Sequence, residues 1–272
     1  MQRPWLKSAL LTPALRTLAV FVTCILLQVG QTLALEADPN SNETLVFEDM
    51  RVPRWLAETV VRAAQVTNVD PAYMMALADK ESSLLPDTKN RASSAEGLFQ
   101  FLESTWLEVF RRYGSNHGYA SEAEAIRIIQ GRPVVSDSKQ REAILSLRSD
   151  PYLSALMAGE MINAHREILA GTVARDPSLS ELYTAHFLGV TGARRLLDLL
   201  DDQPDRSAPA VFPQAARANR SLFFDAEEET GARPKPLSVS EVKARISSMI
   251  DKRVARYASV RGNLTSFQVA AN

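Results

Sequence analysis

The sequence predicts an all-α domain with at most a minimal β element, followed by a C-terminal extension that ends in a helix. Three observations carry this reading. Apolar residues recur at helical spacing through most of the chain beyond residue 52, as in Trp55, Leu56, Val60, Val61 and Ala64. Helix-start chemistry punctuates the pattern: Asp70-Pro71 and Asp150-Pro151 put a capping carboxylate before a first-turn proline, and Ser178 with Glu181 has capping-box spacing. Alternating apolar–polar runs bounded by turn pairs, the mark of strands, are almost absent.

The elements follow from these signals in order. A first helix opens at Pro53 and runs to Thr67, and a second starts after Asp70 and runs to Ser83. Ser104-Thr105 starts a third, with Trp106, Val109 and Phe110 turned inward and Gly114 after its end. Ser121 with Glu124 reads as a capping box for a fourth, and a fifth covers 138–148. The sixth runs from Pro151 to Gly171, the seventh from Ser178 to Gly189, and the eighth covers 191–201. These assign 35–51 to a linker and 52–201 to the helical domain, with 111–140 holding no interpretable signature. Residues 202–237 contain Pro204, Pro209, Pro213, Pro234 and Pro236, and read as an extension docked in part through Val211-Phe212 and Leu222-Phe223-Phe224. Residues 238–272 form a last helix and tail. Ser238 with Glu241 opens that helix, and Val242, Ile246, Ile250 and Val254 make a narrow stripe that packs on the domain or a partner. The charges along 241–257 read as a solvated face.

Composition sets bounds on function. The 272 residues carry 31 Lys+Arg against 32 Asp+Glu, a formal charge of −1, which lacks the basic excess of a nucleic-acid-binding surface. One cysteine excludes a disulfide scaffold. Residues 1–34 have the parts of a secretory signal peptide: Arg3, Lys7 and Arg16 without an acid, the apolar run Leu18–Leu27, and Thr32-Leu33-Ala34 as a small-residue exit. Cleavage after Ala34 removes Cys24 and three basic residues, leaving a thiol-free chain of formal charge −4. Left uncleaved, the uncharged stretch Thr17–Leu35 is near the minimum length for a membrane anchor. The expected location is therefore the periplasm, with membrane attachment only in the uncleaved form.

The chemistry is concentrated in one stretch. No His-Glu-x-x-His pair, phosphate loop or Gly-x-Ser-x-Gly elbow occurs, so neither a metal nor another cofactor is expected, and His117, His165 and His186 are scattered along the chain. In the second helix Met74, Leu77, Ala78 and Glu81 share one face, so the apolar face ends in a carboxylate. Burial against such neighbours raises a glutamate's pKa, the condition for a carboxyl still protonated near neutral pH and able to protonate a leaving group. The plainer alternative is a helix-end glutamate paired to Lys80 or Arg91. Asp87 and Glu96 are rival acids in the following loop.

The segment Glu81-Ser82-Ser83, Pro86, Ser93-Ser94-Ala95-x-Gly97-Leu98-x-Gln100-Phe101, then Ser104-Thr105-Trp106 resembles the catalytic segment of lytic transglycosylases of the soluble (SLT) type. Tyr183-Thr184-Ala185-His186-Phe187-Leu188-Gly189 resembles a later signature of that group, and Phe212-Pro213-x-Ala215-Ala216-Arg217-Ala218-Asn219 resembles the tail of some exported members. The resemblance spans roughly 52–224. It implies a lysozyme-like fold, peptidoglycan as substrate, and Glu81 as the single catalytic acid and base in cutting the bond from N-acetylmuramic acid to N-acetylglucosamine, with a 1,6-anhydro product. It implies substrate-facing roles for Ser82, Ser93, Ser94, Gln100, Tyr183 and His186. Read from the residues, Ser82 equally suits a helix cap, and Gln100 suits either substrate binding or holding the loop. Trp55, Trp106 and Phe223-Phe224 suit the core better than a sugar platform. The group often carries a tyrosine where this chain has His186, and Tyr183 lies one turn earlier on the same face, so either side chain is placed to tune Glu81. Asn90 stands where some members have serine.

Two alternatives remain at this level: a hydrolytic muramidase on the same fold, in which water replaces the sugar's C6 hydroxyl, and a non-catalytic wall-binding protein that engages cell-envelope machinery through its C-terminal extension.

Overall fold

The computed structural model describes residues 43–225 and 234–262. The signal-peptide expectation, and Cys24 with it, lies outside these residues. Within them the chain is all-α, with eleven helices and two short antiparallel hairpins.

Strands β1 (Thr44–Phe47) and β2 (Met50–Pro53) form the first hairpin, inside the segment expected to be a linker. The correction has a simple cause. Thr-Leu-Val-Phe reads as a continuous apolar run, yet Leu45 and Phe47 turn inward while Val46 is 39% exposed, the two-residue alternation of a strand. Its Glu48-Asp49 turn also lacks the glycine that flags most tight hairpins, with Glu48 itself at φ 54°. Helix α1 (Arg54–Val66) follows directly from Pro53 and buries Leu56, Val60, Val61 and Ala64.

Helix α2 (Pro71–Ser82) starts as its sequence predicts: the Asp70 carboxylate accepts from the backbone N–H of Ala72 at 2.8 Å and Tyr73 at 3.3 Å. Its middle is buried on all sides, because α1 covers one flank and the C-terminal helix another. Helix α3 (Glu103–Tyr113) buries Trp106, whose indole N–H donates to the Ile144 carbonyl at 2.8 Å. The stretch from 111 to 140 is not open loop. A 3₁₀ turn, the short helix α4 (Ala120–Ala125) and strands β3 (Arg127–Ile129) and β4 (Arg132–Val134) fill much of it. The Gln130-Gly131 turn, positive in φ at both residues, is the hairpin signal there. The capping box expected at Ser121 does not form. Helix α4 begins one residue earlier without a side-chain cap, and the Ser121 hydroxyl donates to Glu122 instead.

Helix α5 (Ser138–Ser146) leads to α6 (Pro151–Val173), the central element, which packs on both α1 and α7. The seventh and eighth expected helices make up α7 (Leu179–Asp202), two helical segments that meet at a kink where the sequence placed the break, at Gly189, whose φ 70° and ψ 159° leave the helical region. That conformation suits glycine and few other residues. The short helices α8 (Ala208–Val211), α9 (Pro213–Ala218) and α10 (Arg220–Phe223) bury Val211, Ala216, Leu222 and Phe223. Helix α11 (Val239–Arg256) opens with the expected capping box of Ser238 and Glu241. Its stripe of Val242, Ile246, Ile250 and Val254 is buried against α2 and α7.

One apolar cluster runs from Leu45 through α1, α2, α6 and α7 to Val260, so the C-terminal helix shares the core of the helices before it. Replacing Ile246, fully buried on α11, with alanine is expected to lower the unfolding free energy by about 2–5 kcal/mol. Urea denaturation checks this; a change under ~0.5 kcal/mol, the range of surface substitutions, contradicts core membership.

Candidate active site

Glu81 sits in the last turn of α2, where the buried face of Met74, Leu77 and Ala78, all fully inaccessible, reaches the surface. Its side chain retains 18% exposure. The helix stops just beyond it because Ser83 (φ 53°) and Leu84 (φ 60°) both turn left-handed and send the chain away. Glu81 is therefore a carboxyl at the rim of the core.

The partner at that rim is His186 from α7. Its Nε2 lies 3.6 Å from Glu81 Oε1, an ion-pair contact somewhat longer than a hydrogen bond. Neither Lys80 nor Arg91 takes this place. Burial alone pushes the Glu81 carboxyl up, as the sequence suggests, but the contact with His186 and the charges of His186, Lys80 and Arg253 outweigh it, so the net displacement is below the ordinary value. This reverses the expected direction.

Around this pair the structure gathers Tyr183, which the sequence singles out, and two residues that it does not. Tyr183, one turn before His186, is buried with its ring 6.0 Å from the imidazole, and it stacks parallel to Phe187 at 6.3 Å. Tyr73 on α2 is also buried, and its hydroxyl has no hydrogen-bond partner. Burial pushes both tyrosine hydroxyls up, and the Glu81 charge adds to each. His165 of α6 is pushed down to about 4, by burial first and then by the charge of His186. Two of the three histidines are thus close in space. No sequence signal marked Tyr73 or His165, since an aromatic or a histidine on a buried face is ordinarily packing.

The loop after α2 is held from below by one cation. The Arg148 side chain, 5% exposed, donates to the carbonyls of Ser94 at 2.6 Å and Phe101 at 3.2 Å, and to Glu96 Oε2 at 2.8 Å. Ser149 donates to the other Glu96 oxygen at 3.0 Å, and Lys89 pairs with it at 2.9 Å. Glu96 is thereby committed to the loop, and burial notwithstanding, these partners hold its carboxyl below the usual range. Asp87 is exposed. Neither rival acid occupies a position like that of Glu81.

The expected substrate-facing residues divide. Ser93 and Ser94 lie exposed on the loop, with hydroxyls accepting from the N–H of Ala95 and Glu103, each at 3.3 Å. Ser82 is buried and donates to Ala78 at 3.1 Å and Leu98 at 2.8 Å, which ties the loop to the helix. The Gln100 amide N–H donates to Thr88 at 2.9 Å and Gly97 at 3.0 Å, so it braces the loop. The Ser82 hydroxyl and the Gln100 amide nitrogen thus serve the structural alternative that the residues themselves suggest, a helix cap and a loop brace. Among the described residues no three His, Cys, Asp or Glu side chains form a metal-ligand group.

Gly97 marks where loop and brace meet. It sits at φ 83°, and a Cβ added there would lie 2.0 Å from the Arg148 carbonyl oxygen. Gly97→Ala is expected to cost about 1–3 kcal/mol through strain and overpacking. Chemical denaturation measures it, and a neutral result contradicts the close approach.

Residues 58–126 match the family model described as the transglycosylase SLT domain. The match includes α2 with Glu81 and the braced loop, and it ends before α6, α7 and α11.

Proposed function

We propose that this chain, whose residues 58–126 match the transglycosylase SLT domain, is an exported lytic transglycosylase of peptidoglycan with Glu81 as acid and then base. The observation that supports this best is the placement of Glu81: a carboxyl at the rim of an apolar helix face, one ion-pair contact from a histidine, beside an exposed serine-bearing loop. Such a carboxyl can change protonation state without leaving its place.

The reaction balances with one group. Glu81 gives its proton to the oxygen joining C1 of N-acetylmuramic acid to N-acetylglucosamine, and the C1–O bond breaks. The muramoyl C6 hydroxyl attacks C1, and its proton passes to the Glu81 carboxylate. A 1,6-anhydro ring forms, Glu81 ends protonated as it began, and no water is consumed. Glycosidases of the usual kind place a second carboxylate across the bond. Here Asp79 is engaged with Arg256 and Glu96 with Arg148, and Asp87 is exposed.

His186 supplies a polar partner at an otherwise apolar rim, and its contact with Glu81 is the largest influence opposing burial of the carboxyl. A glycan strand that fills the site removes water, and because desolvation penalises the charged carboxylate, substrate binding favours the protonated acid. Tyr183 lines the same site as a packing neighbour of His186. Export rests on the N-terminal sequence; among the described residues no helix is long and apolar enough to cross a membrane.

Two outcomes test this reading. Glu81→Gln is expected to reduce release of anhydro-muropeptides from purified sacculi by about 10²–10⁴-fold, the range that a general acid–base group contributes. A variant that clears sacculi like its parent removes Glu81 from the chemistry. His186→Gln takes away the imidazole contact and its charge, leaving burial less opposed. The pH at which the Glu81 carboxyl ionises is therefore expected to rise, read by carbon NMR of the labelled side chain. A fall contradicts the coupling.

A further inference from the structure

Charged groups from outside the matched segment converge on the turn of α2 that carries Glu81. Asp79 stands two residues before Glu81, so the two side chains leave the helix about 200° apart. Asp79 is 9% exposed at its side chain, and its Oδ2 lies 3.1 Å from Arg256 Nη1 and 3.8 Å from Arg253 Nε. Both arginines belong to the last turn of α11. Arg256 continues to Glu48 and Asp49 in the β1–β2 turn, at 3.2 Å each. These charges were expected to form a solvated face, but Arg253 and Arg256 keep only 31% and 23% of their side-chain exposure.

We propose that Asp79, Arg253 and Arg256 are positioning residues for Glu81, which makes the C-terminal helix a working part of the catalytic site. The inference rests on Glu81 being the acid. A helix end rotates about its own axis unless it is held on more than one side. His186 meets Glu81 on one side of α2, and the two arginines grip Asp79 on the other. Any twist of the turn that swings Glu81 away from His186 must first break the Asp79 pairs, each partly screened from water. The apolar stripe of α11 fixes the distance of this grip, since Ile250 and Val254 are buried where α11 packs on α2. The groups acting on the Glu81 carboxyl come from three elements: Lys80 on α2, His186 on α7 and Arg253 on α11. Arg253 also acts on Tyr183. The grip therefore carries charge to the site as well as rigidity.

The test compares Arg253→Gln and Arg253→Lys with Arg245→Gln in the full mature chain. Arg245 anchors the same helix elsewhere, to the carbonyls of Ser221 and Phe224 and to Asp225. Arg253→Gln is expected to lower kcat about ten- to a hundredfold, as a misplaced catalytic group does, with little change in KM. It also removes a cation, so the alkaline limb of the pH profile moves to higher pH, Glu81 having to be protonated to act. Arg253→Lys restores the limb, and Arg245→Gln leaves both readouts at the parent's values. A folded Arg253→Gln with the parent's kcat and limb overturns the inference, as does an equal loss in Arg245→Gln. If the parent itself releases no anhydro product, it is the transglycosylase reading that fails. Carbon NMR titration of Glu81 then decides the positioning claim alone: an unmoved titration in Arg253→Gln refutes it. Where Arg253→Gln does not fold, the same titration in Arg256→Gln, which breaks the shorter Asp79 pair, serves, and an unmoved curve again refutes it.

Discussion

Glu81 and His186 reach one another across the junction of two helices, and the rest of the molecule is arranged so that this 3.6 Å approach holds. Helix α2 brings the carboxyl to the rim with a face that is otherwise wholly apolar. Helix α7 brings the imidazole from the next layer, just before Gly189 breaks the rod. A carboxyl so placed meets two opposed influences, burial and a neighbouring cation. Its protonation is therefore sensitive to what surrounds it, as expected of a group proposed to act as acid and then base.

The loop beside the pair has little apolar content of its own and is held by polar contacts from beneath. Arg148 collects two backbone carbonyls and one carboxylate, while Ser82 and Gln100 spend their hydrogen bonds on loop carbonyls. Ser93 and Ser94 face outward because Arg148, Ser149 and Gln100 do the bracing. Residues that look alike in a motif thus differ in the fold, one set exposed on the loop and one turned inward to hold it.

Much of this was legible in the residues. The caps at Asp70, Asp150, Ser178 and Ser238 each open a helix where their spacing placed it, because side-chain capping is a local interaction. The position of Glu81 on an apolar face was legible for the same reason. What escaped depended on distant contacts. The β1–β2 hairpin hid in an apolar run whose alternation appears only once a core lies on one side. The capping box at Ser121 failed because Tyr119 and the preceding 3₁₀ turn set the start of α4. The direction of the Glu81 displacement was missed because burial is visible in a sequence pattern, whereas the 3.6 Å approach of His186 from α7, reinforced by Lys80 and Arg253, is made only in the fold. Charges on an amphipathic helix are read as solvated by default; those of α11 became partners once the helix packed across α2.

The account stands or falls on whether this carboxyl breaks a glycan without water. The direct measurement is digestion of purified sacculi by the mature protein in heavy-oxygen water, with mass spectrometry of the released fragments. The account predicts anhydro-muramoyl ends that carry no heavy oxygen. Reducing muramoyl ends that each carry one heavy oxygen would contradict it, since that oxygen enters only when water attacks the anomeric carbon.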